Sequence, residues 1–152
     1  MKTKIPPPII ALIFAAMMIA VAYLIPQGHF ALVFNLQGWL AGMFAGAGLL
    51  CMALGLGAFR KSATTINPLR PQDATTLVVD GVYTFTRNPM YLGMLLILAG
   101  VSSFLGSLLA VGLLPGFVLY MNLFQIFPEE AALKELFGDD YLKYLKDVRR
   151  WA

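Results

Sequence analysis

The sequence predicts an all-α polytopic membrane protein with four transmembrane helices and a C-terminal amphipathic helical tail on the cytoplasmic side. Three observations predict it. Of 152 residues, 59% are hydrophobic and 12% charged, whereas soluble domains carry about 25% charge. No Asp, Glu, Lys or Arg occurs between Lys4 and Arg60 or between Arg87 and Glu129, and each interval can hold two spans of about 20 residues. Lys2, Lys4, Arg60, Lys61, Arg70, Arg87 and the basic tail fall on one side of those spans, which by the positive-inside rule is cytoplasmic.

The elements follow in order. Residues 8–25 form the first span, stopped by Pro26 and Gly28 in "IPQGHF". Lys2 and Lys4 followed by "IIALIFAAMMIAVA" imitate a signal peptide, but a retained first span is expected. The second span covers 36–59; Gly38, Gly42 and Gly46 recur on one face and predict a packing groove. A cytoplasmic loop, 60–88, leads to the third span, 89–105, which turns at "SSFLGS" into the fourth, 108–127. Pro115 either kinks that helix or is simply tolerated there. In the tail, 128–152, Leu133, Phe137, Tyr141, Tyr144, Val148 and Trp151 recur at spacings of three and four. One or two amphipathic helices against the membrane face are expected, with a stop at Gly138 and a new N-cap at Asp139. The whole chain, 1–152, reads as a single domain.

Composition also excludes functions. A formal charge of +3 is scattered around apolar spans rather than gathered into a stripe, so no nucleic-acid partner is expected. The single cysteine, Cys51, permits neither an intrachain disulfide nor a multi-cysteine metal site, and no metal is expected.

Polar residues gather at two cytoplasmic thresholds, "TTLVVDGVYTFTRNPMYLG" and "FPEEAALKELFGDDY". A hairpin of the third and fourth spans returns its ends to one place, so Arg87, Asn88 and Tyr91 should meet Glu129 and Glu130. Pro89 at a helix start leaves free amides suited to an anion. Glu129 can meet a cation or ribose hydroxyls, and Tyr83 and Tyr91 offer ring faces to positive charge. Carboxylate, amine, sulfonium and ribose together describe S-adenosyl-L-methionine. Singly, each residue also has an ordinary reading: Arg87 as a positive-inside anchor, the tyrosines as interfacial belt, the glutamates as an acidic first helical turn.

The quoted threshold and the later "PEEAALKELFGDDYLKYLKDVRRW" resemble the isoprenylcysteine carboxyl methyltransferase and phospholipid methyltransferase superfamily over roughly residues 64–151. The resemblance implies an integral membrane methyltransferase that binds S-adenosyl-L-methionine through Thr75, Thr76, Leu77, Val78, Tyr83, Asn88, Pro89, Met90, Tyr91 and Glu129. Glu129 and Arg87 are the expected catalytic residues, and Gln125 is expected to bind substrate. Two departures stand out: Asn88 replaces the family histidine and cannot titrate near neutral pH; Gln125 stands where isoprenylcysteine enzymes place an arginine, without its charge.

The expected function is therefore methyl transfer to a lipidic acceptor held in the membrane, either the carboxylate of a prenylated cysteine or a phospholipid amine. The amine would need Glu129 or Glu130 to take its proton. Rival readings are an NADPH-dependent membrane reductase of related architecture, a small four-helix transporter, and an assembly protein using the glycine face of the second span. The expected location is a prokaryotic inner membrane, with both termini cytoplasmic.

Overall fold

The computed structural model describes residues 5–30, 36–61 and 75–152. Lys2, Lys4 and Arg70 lie outside the described residues. The described residues form five α-helices: α1 (Pro7–Leu24), α2 (Leu36–Lys61), α3 (Pro89–Leu105), α4 (Leu108–Met121) and α5 (Phe127–Asp147). A short 3-10 turn, Gly81–Thr84, precedes α3, and a π turn, Asn122–Ile126, joins α4 to α5. Among the described residues the fold is all-helical, with one isolated bridge, His29 to Ser107.

Each helix end has a local cause. Prolines occupy the first turns of α1 and α3, where a missing N–H costs nothing. The α3–α4 turn needs Gly106, at φ 58°, a left-handed conformation that glycine adopts without penalty. Ser107 then caps α4 by accepting from the Ala110 amide at 3.4 Å. The other turn meets this one: the Phe30 amide donates to the Gly106 carbonyl at 2.7 Å, and the Leu108 amide to the Gly28 carbonyl at 3.1 Å. The turns of the two hairpins are thus stitched together at one end, and residues 83–88 and the tail gather at the other.

Among the described residues three helices are long and apolar enough to cross a membrane: Pro7–Leu24, Leu36–Lys61 and the continuous Leu108–Asp147. The fourth expected span, α3, has 17 residues. At about 1.5 Å per residue it reaches roughly 26 Å, slightly less than the ~30 Å of a hydrocarbon core.

The closest helix pair is α2 against α3, and its glycines are not the expected ones. Around Gly38, Gly42 and Gly46 there is open space, whereas a β-carbon on Gly48 would stand 2.6 Å from the Gly93 carbonyl oxygen. One on Gly100 would stand 2.9 Å from the Ala41 carbonyl, and one on Gly55 3.1 Å from the Pro89 ring. Lipid tails are as apolar as leucine, so close backbone approach and van der Waals contact, rather than water exclusion, hold such a pair. Helix α1 packs on α3 and α4 through Ile10, Met18, Leu98 and Phe117, all buried, with Phe14 edge-on to Phe117 at 5.5 Å.

The boundary between fourth span and tail also differs from expectation. The helix does not stop near Phe127; it widens into the π turn and continues. A π turn relieves the clash that Pro128 would otherwise make with the carbonyl four residues earlier, and the Phe127 amide bonds the Asn122 carbonyl instead. Gly138 does interrupt α5, with φ 52° and ψ −123°. The helical periodicity read through Trp151 ends at Asp147; Val148 is extended, at φ −124° and ψ 135°, and the last residues run back over the start of α3.

Candidate functional site

The α3–α4 hairpin delivers its two ends to one place. The Tyr91 hydroxyl donates to Glu129 Oε1 at 2.5 Å. Arg87 Nη1 pairs with Glu130 Oε1 at 3.0 Å, a contact that leaves both Nη1 and Nε of this buried guanidinium without a well-directed hydrogen bond among the described residues. Buried donors in that condition are uncommon and mark a place for an acceptor group.

Arg150 completes the arrangement and was not singled out from the sequence. Its Nε and Nη2 grip Glu130 Oε1 and Oε2 at 2.9 and 2.8 Å, a two-pronged pairing that fixes the carboxylate's orientation. Its guanidinium also stacks on Phe127, 4.8 Å from the ring centre. The Arg150 carbonyl accepts from Asn88 Nδ2 at 3.0 Å and from the Thr86 hydroxyl at 3.3 Å, while the Arg149 carbonyl accepts from the Arg87 amide at 3.0 Å. Trp151 Nε1 donates to Asn122 Oδ1 at 3.0 Å. A terminal strap thereby ties the α3 entrance to the π turn. The sequence carried "RRW" at its end but gave no sign of this reach.

Glutamates 129 and 130 have opposite surroundings. Glu130 faces two arginines. Glu129 lies past the uncharged run that ends at Pro128 and has a tyrosine hydroxyl as partner; burial, and secondarily the Glu130 charge, push its carboxyl up to about 8 against the opposing pull of the Tyr91 hydrogen bond. A carboxyl held near neutrality is suited either to meet an incoming cation or to hold a proton.

The remaining expected residues divide. Val78 and Tyr83 are buried with Tyr141 and Tyr144, and Leu77 packs against them. Tyr83 lies edge-on to Phe59 at 5.5 Å, and its carbonyl accepts from the Tyr144 hydroxyl at 2.8 Å. Burial raises the Tyr83 phenol above its ordinary range, with Tyr144 and Glu129 adding to the effect, which places this ring within the field of Glu129. Thr75 and Thr76 are exposed. Pro89 is buried and, with Met90, abuts Gly55; the N-cap of α3, Asn88, makes no side-chain cap, so the first amides of that helix are not claimed by it. Gln125 is brought elsewhere: its Nε2 donates to the Ile5 carbonyl at 2.8 Å, at the start of α1, and its Oε1 is buried without a hydrogen-bond partner. Among the described residues no group of three or more His, Cys, Asp or Glu could hold a metal.

Comparison with known proteins bears on this arrangement. A family model described as phospholipid methyltransferase matches residues 36–140, more than half of the chain. A Haemophilus influenzae protein carrying only the description "uncharacterized" is 48% identical over 63 residues, 41% of this chain and 98% of that protein. The protein-S-isoprenylcysteine O-methyltransferase of Schizosaccharomyces pombe is 40% identical over 73 residues, 47% of this chain. That match covers 30% of the yeast enzyme's length. No solved structure matches.

Proposed function

The chain belongs to the phospholipid methyltransferase family, and from that premise we propose that it transfers a methyl group from S-adenosyl-L-methionine to a lipidic acceptor held in the membrane. The observation that carries the reading is the pairing of unlike polar groups at the hairpin's ends: a carboxyl raised to about 8 at Glu129 beside a buried, incompletely bonded guanidinium at Arg87. The donor is a zwitterion with an added sulfonium charge, so it needs both signs in one small space.

Each residue then has a role. Glu129, oriented by Tyr91, faces the donor's positive charge. Arg87 Nε and the uncapped amides at the start of α3 receive its carboxylate. Leu77, Val78 and Tyr83 form the apolar wall that keeps water away, with Thr75 and Thr76 at its rim. Asn88 acts through the strap, since its amide is spent on the Arg150 carbonyl. When bound, the sulfonium supplies an electrophilic methyl group, and the protein's task is alignment and exclusion of water. For a carboxylate acceptor no base is required; for an amine acceptor Glu129 can hold the released proton. The yeast relative acts on isoprenylcysteine, which keeps a prenylated carboxylate among the acceptors, alongside phospholipid amines. The four-span arrangement with loop and tail on the cytoplasmic face would let a water-soluble donor reach this depth.

Titration calorimetry of purified protein with S-adenosyl-L-methionine, and separately with NADPH, tests the reading. Saturable binding of the first is expected. Binding of NADPH alone would replace the methyltransferase with a reductase.

A further inference from the structure

Tyr141 and Tyr144 stand one turn apart on α5 and are buried, at 2% and 8% exposure. Their neighbours Asp139, Asp140, Lys143, Lys146 and Asp147 are exposed. The two rings, with centres 6.2 Å apart, pack in one cluster with Val78 and Tyr83. The Tyr144 hydroxyl donates to the Tyr83 carbonyl at 2.8 Å, inside the short turn Gly81–Thr84. The Tyr141 hydroxyl lies in the surroundings of the Arg87–Glu130 pair. Burial pushes that phenol up to about 12; the Glu130 charge adds to the rise and the Arg87 guanidinium pulls the other way.

Gly138 gives this pair its direction. A β-carbon there would meet nothing within 4 Å, so glycine is not required for space. Its backbone requires it: φ 52° and ψ −123° are the dihedrals of the first central residue of a type II′ turn, which glycine adopts without the cost a β-carbon brings. The kink breaks α5 three residues before Tyr141, and the segment after it carries both phenols onto the elements that hold Tyr83 and Arg87.

We propose that Tyr141 and Tyr144 are positioning residues of the donor seat, aimed by the turn at Gly138: Tyr144 fixes the Tyr83 wall through the Tyr83 carbonyl, and Tyr141 backs Arg87 so that its buried guanidinium stays directed at a carboxylate. Neither touches the reacting atoms; each acts through another residue. The identity of the seat rests on the function proposed above. The two roles have different consequences. An oriented guanidinium matters to a ligand that carries a carboxylate, whereas a displaced wall weakens any nucleoside that packs against it.

The test is calorimetry on the full chain in detergent with two probes: S-adenosyl-L-homocysteine, and S-adenosyl-3-thiopropylamine, which is the same molecule without its carboxylate. Tyr141→Phe should weaken the first about three- to tenfold and leave the second within about twofold. Tyr144→Phe should weaken both by one common factor, about three- to tenfold. In Arg87→Ala protein, Tyr141→Phe should change affinity for the first probe by less than about twofold, because a residue acting through Arg87 then has nothing to act on. Gly138→Ala, which adds no clash, should weaken both probes. Gel filtration confirms that each variant is folded; if Tyr141→Phe is not, Tyr144→Phe and Gly138→Ala carry the test. Equal losses for the two probes in Tyr141→Phe, full additivity with Arg87→Ala, or unchanged affinities in Tyr144→Phe and Gly138→Ala overturn the proposal. A wild-type protein that binds neither probe nor S-adenosyl-L-methionine overturns the donor reading and the positioning roles together, a result seen before any variant is made and so separate from failure of the positioning roles alone.

Discussion

Tyr91 and Glu129, 38 residues apart in sequence, share a hydrogen bond of 2.5 Å across the open end of the α3–α4 hairpin. The bond couples a buried phenol at the start of one apolar helix to a carboxyl just past the end of the other, and it fixes where a cation could settle.

Removing the carboxylate should therefore cost donor affinity more than removing its orienting partner. Glu129→Ala should weaken S-adenosyl-L-methionine binding at least tenfold. Tyr91→Phe, which deletes one hydrogen bond, should weaken it about three- to tenfold. Calorimetry on both variants checks this, with gel filtration in detergent to confirm that each is folded. Normal affinity in both would take the pair out of the donor site.

Protonation of Glu129 should be visible in the pH dependence of binding. With its carboxyl raised to about 8 in the free protein, Glu129 is mainly protonated below that pH, and a cation placed beside it lowers the pKa. Donor binding near pH 7 should then release on the order of one proton, and affinity should rise with pH, by up to about tenfold per unit, until roughly pH 8. Titrations in two buffers of different ionisation enthalpy count the protons. Glu129→Gln should abolish the release.

The same shift bears on stability, with the opposite direction in pH. The folded carboxyl binds its proton more tightly than the ordinary value of 4.5, so between about 4.5 and 8 the native state holds more protons than the unfolded one. Its contribution to stability is present in full below 4.5 and is lost as pH rises through about 8. Thermal unfolding of the detergent-solubilised protein should show a midpoint that falls over this window, and Glu129→Gln should flatten the fall.

The strap predicts a further asymmetry. Arg150→Ala should leave the helical content unchanged yet loosen residues 148–152, because it removes the bidentate grip on Glu130. Limited proteolysis with a carboxypeptidase should trim the variant faster than the wild type. Donor affinity should fall as well, since Arg87 would then hold Glu130 alone.

Glycines give a paired control for the fold. Gly93→Ala places a β-carbon 2.6 Å from the Gly48 carbonyl and should destabilise by about 1–3 kcal/mol through overpacking. Gly42→Ala, in open space, should be neutral or slightly stabilising, because alanine favours helix. Comparing melting temperatures in one detergent tests both.

Much of this was legible in the sequence because it depends on local or one-dimensional rules. Long uncharged intervals announced the apolar helices, Pro89 marked the start of α3, and Gly138 marked the break in α5. That Arg87 and Tyr91 would come close to Glu129 and Glu130 followed from a hairpin that returns its ends to one place; which residue pairs with which is seen only in the fold. The packing glycines were misread for an instructive reason. Gly38, Gly42 and Gly46 have the spacing of a contact face, but spacing says only that a face is smooth; which smooth face is covered depends on the partner, and α3 presents Gly93 and Gly100 to Gly48 and Ala41 instead.

What the sequence by itself determined is the material: helices of membrane grade, their ends, and a polar threshold where two of them return. Only the tertiary structure decided which of the polar residues are satisfied and which are left to act. The Asn88 amide is spent on the Arg150 carbonyl and the Gln125 amide nitrogen on the Ile5 carbonyl, while Glu129 and Arg87 retain capacity. That division arises because a buried polar group takes whatever partner the packing brings within about 3 Å, and strap, π turn and α1 reach their places only through contacts distant in the chain.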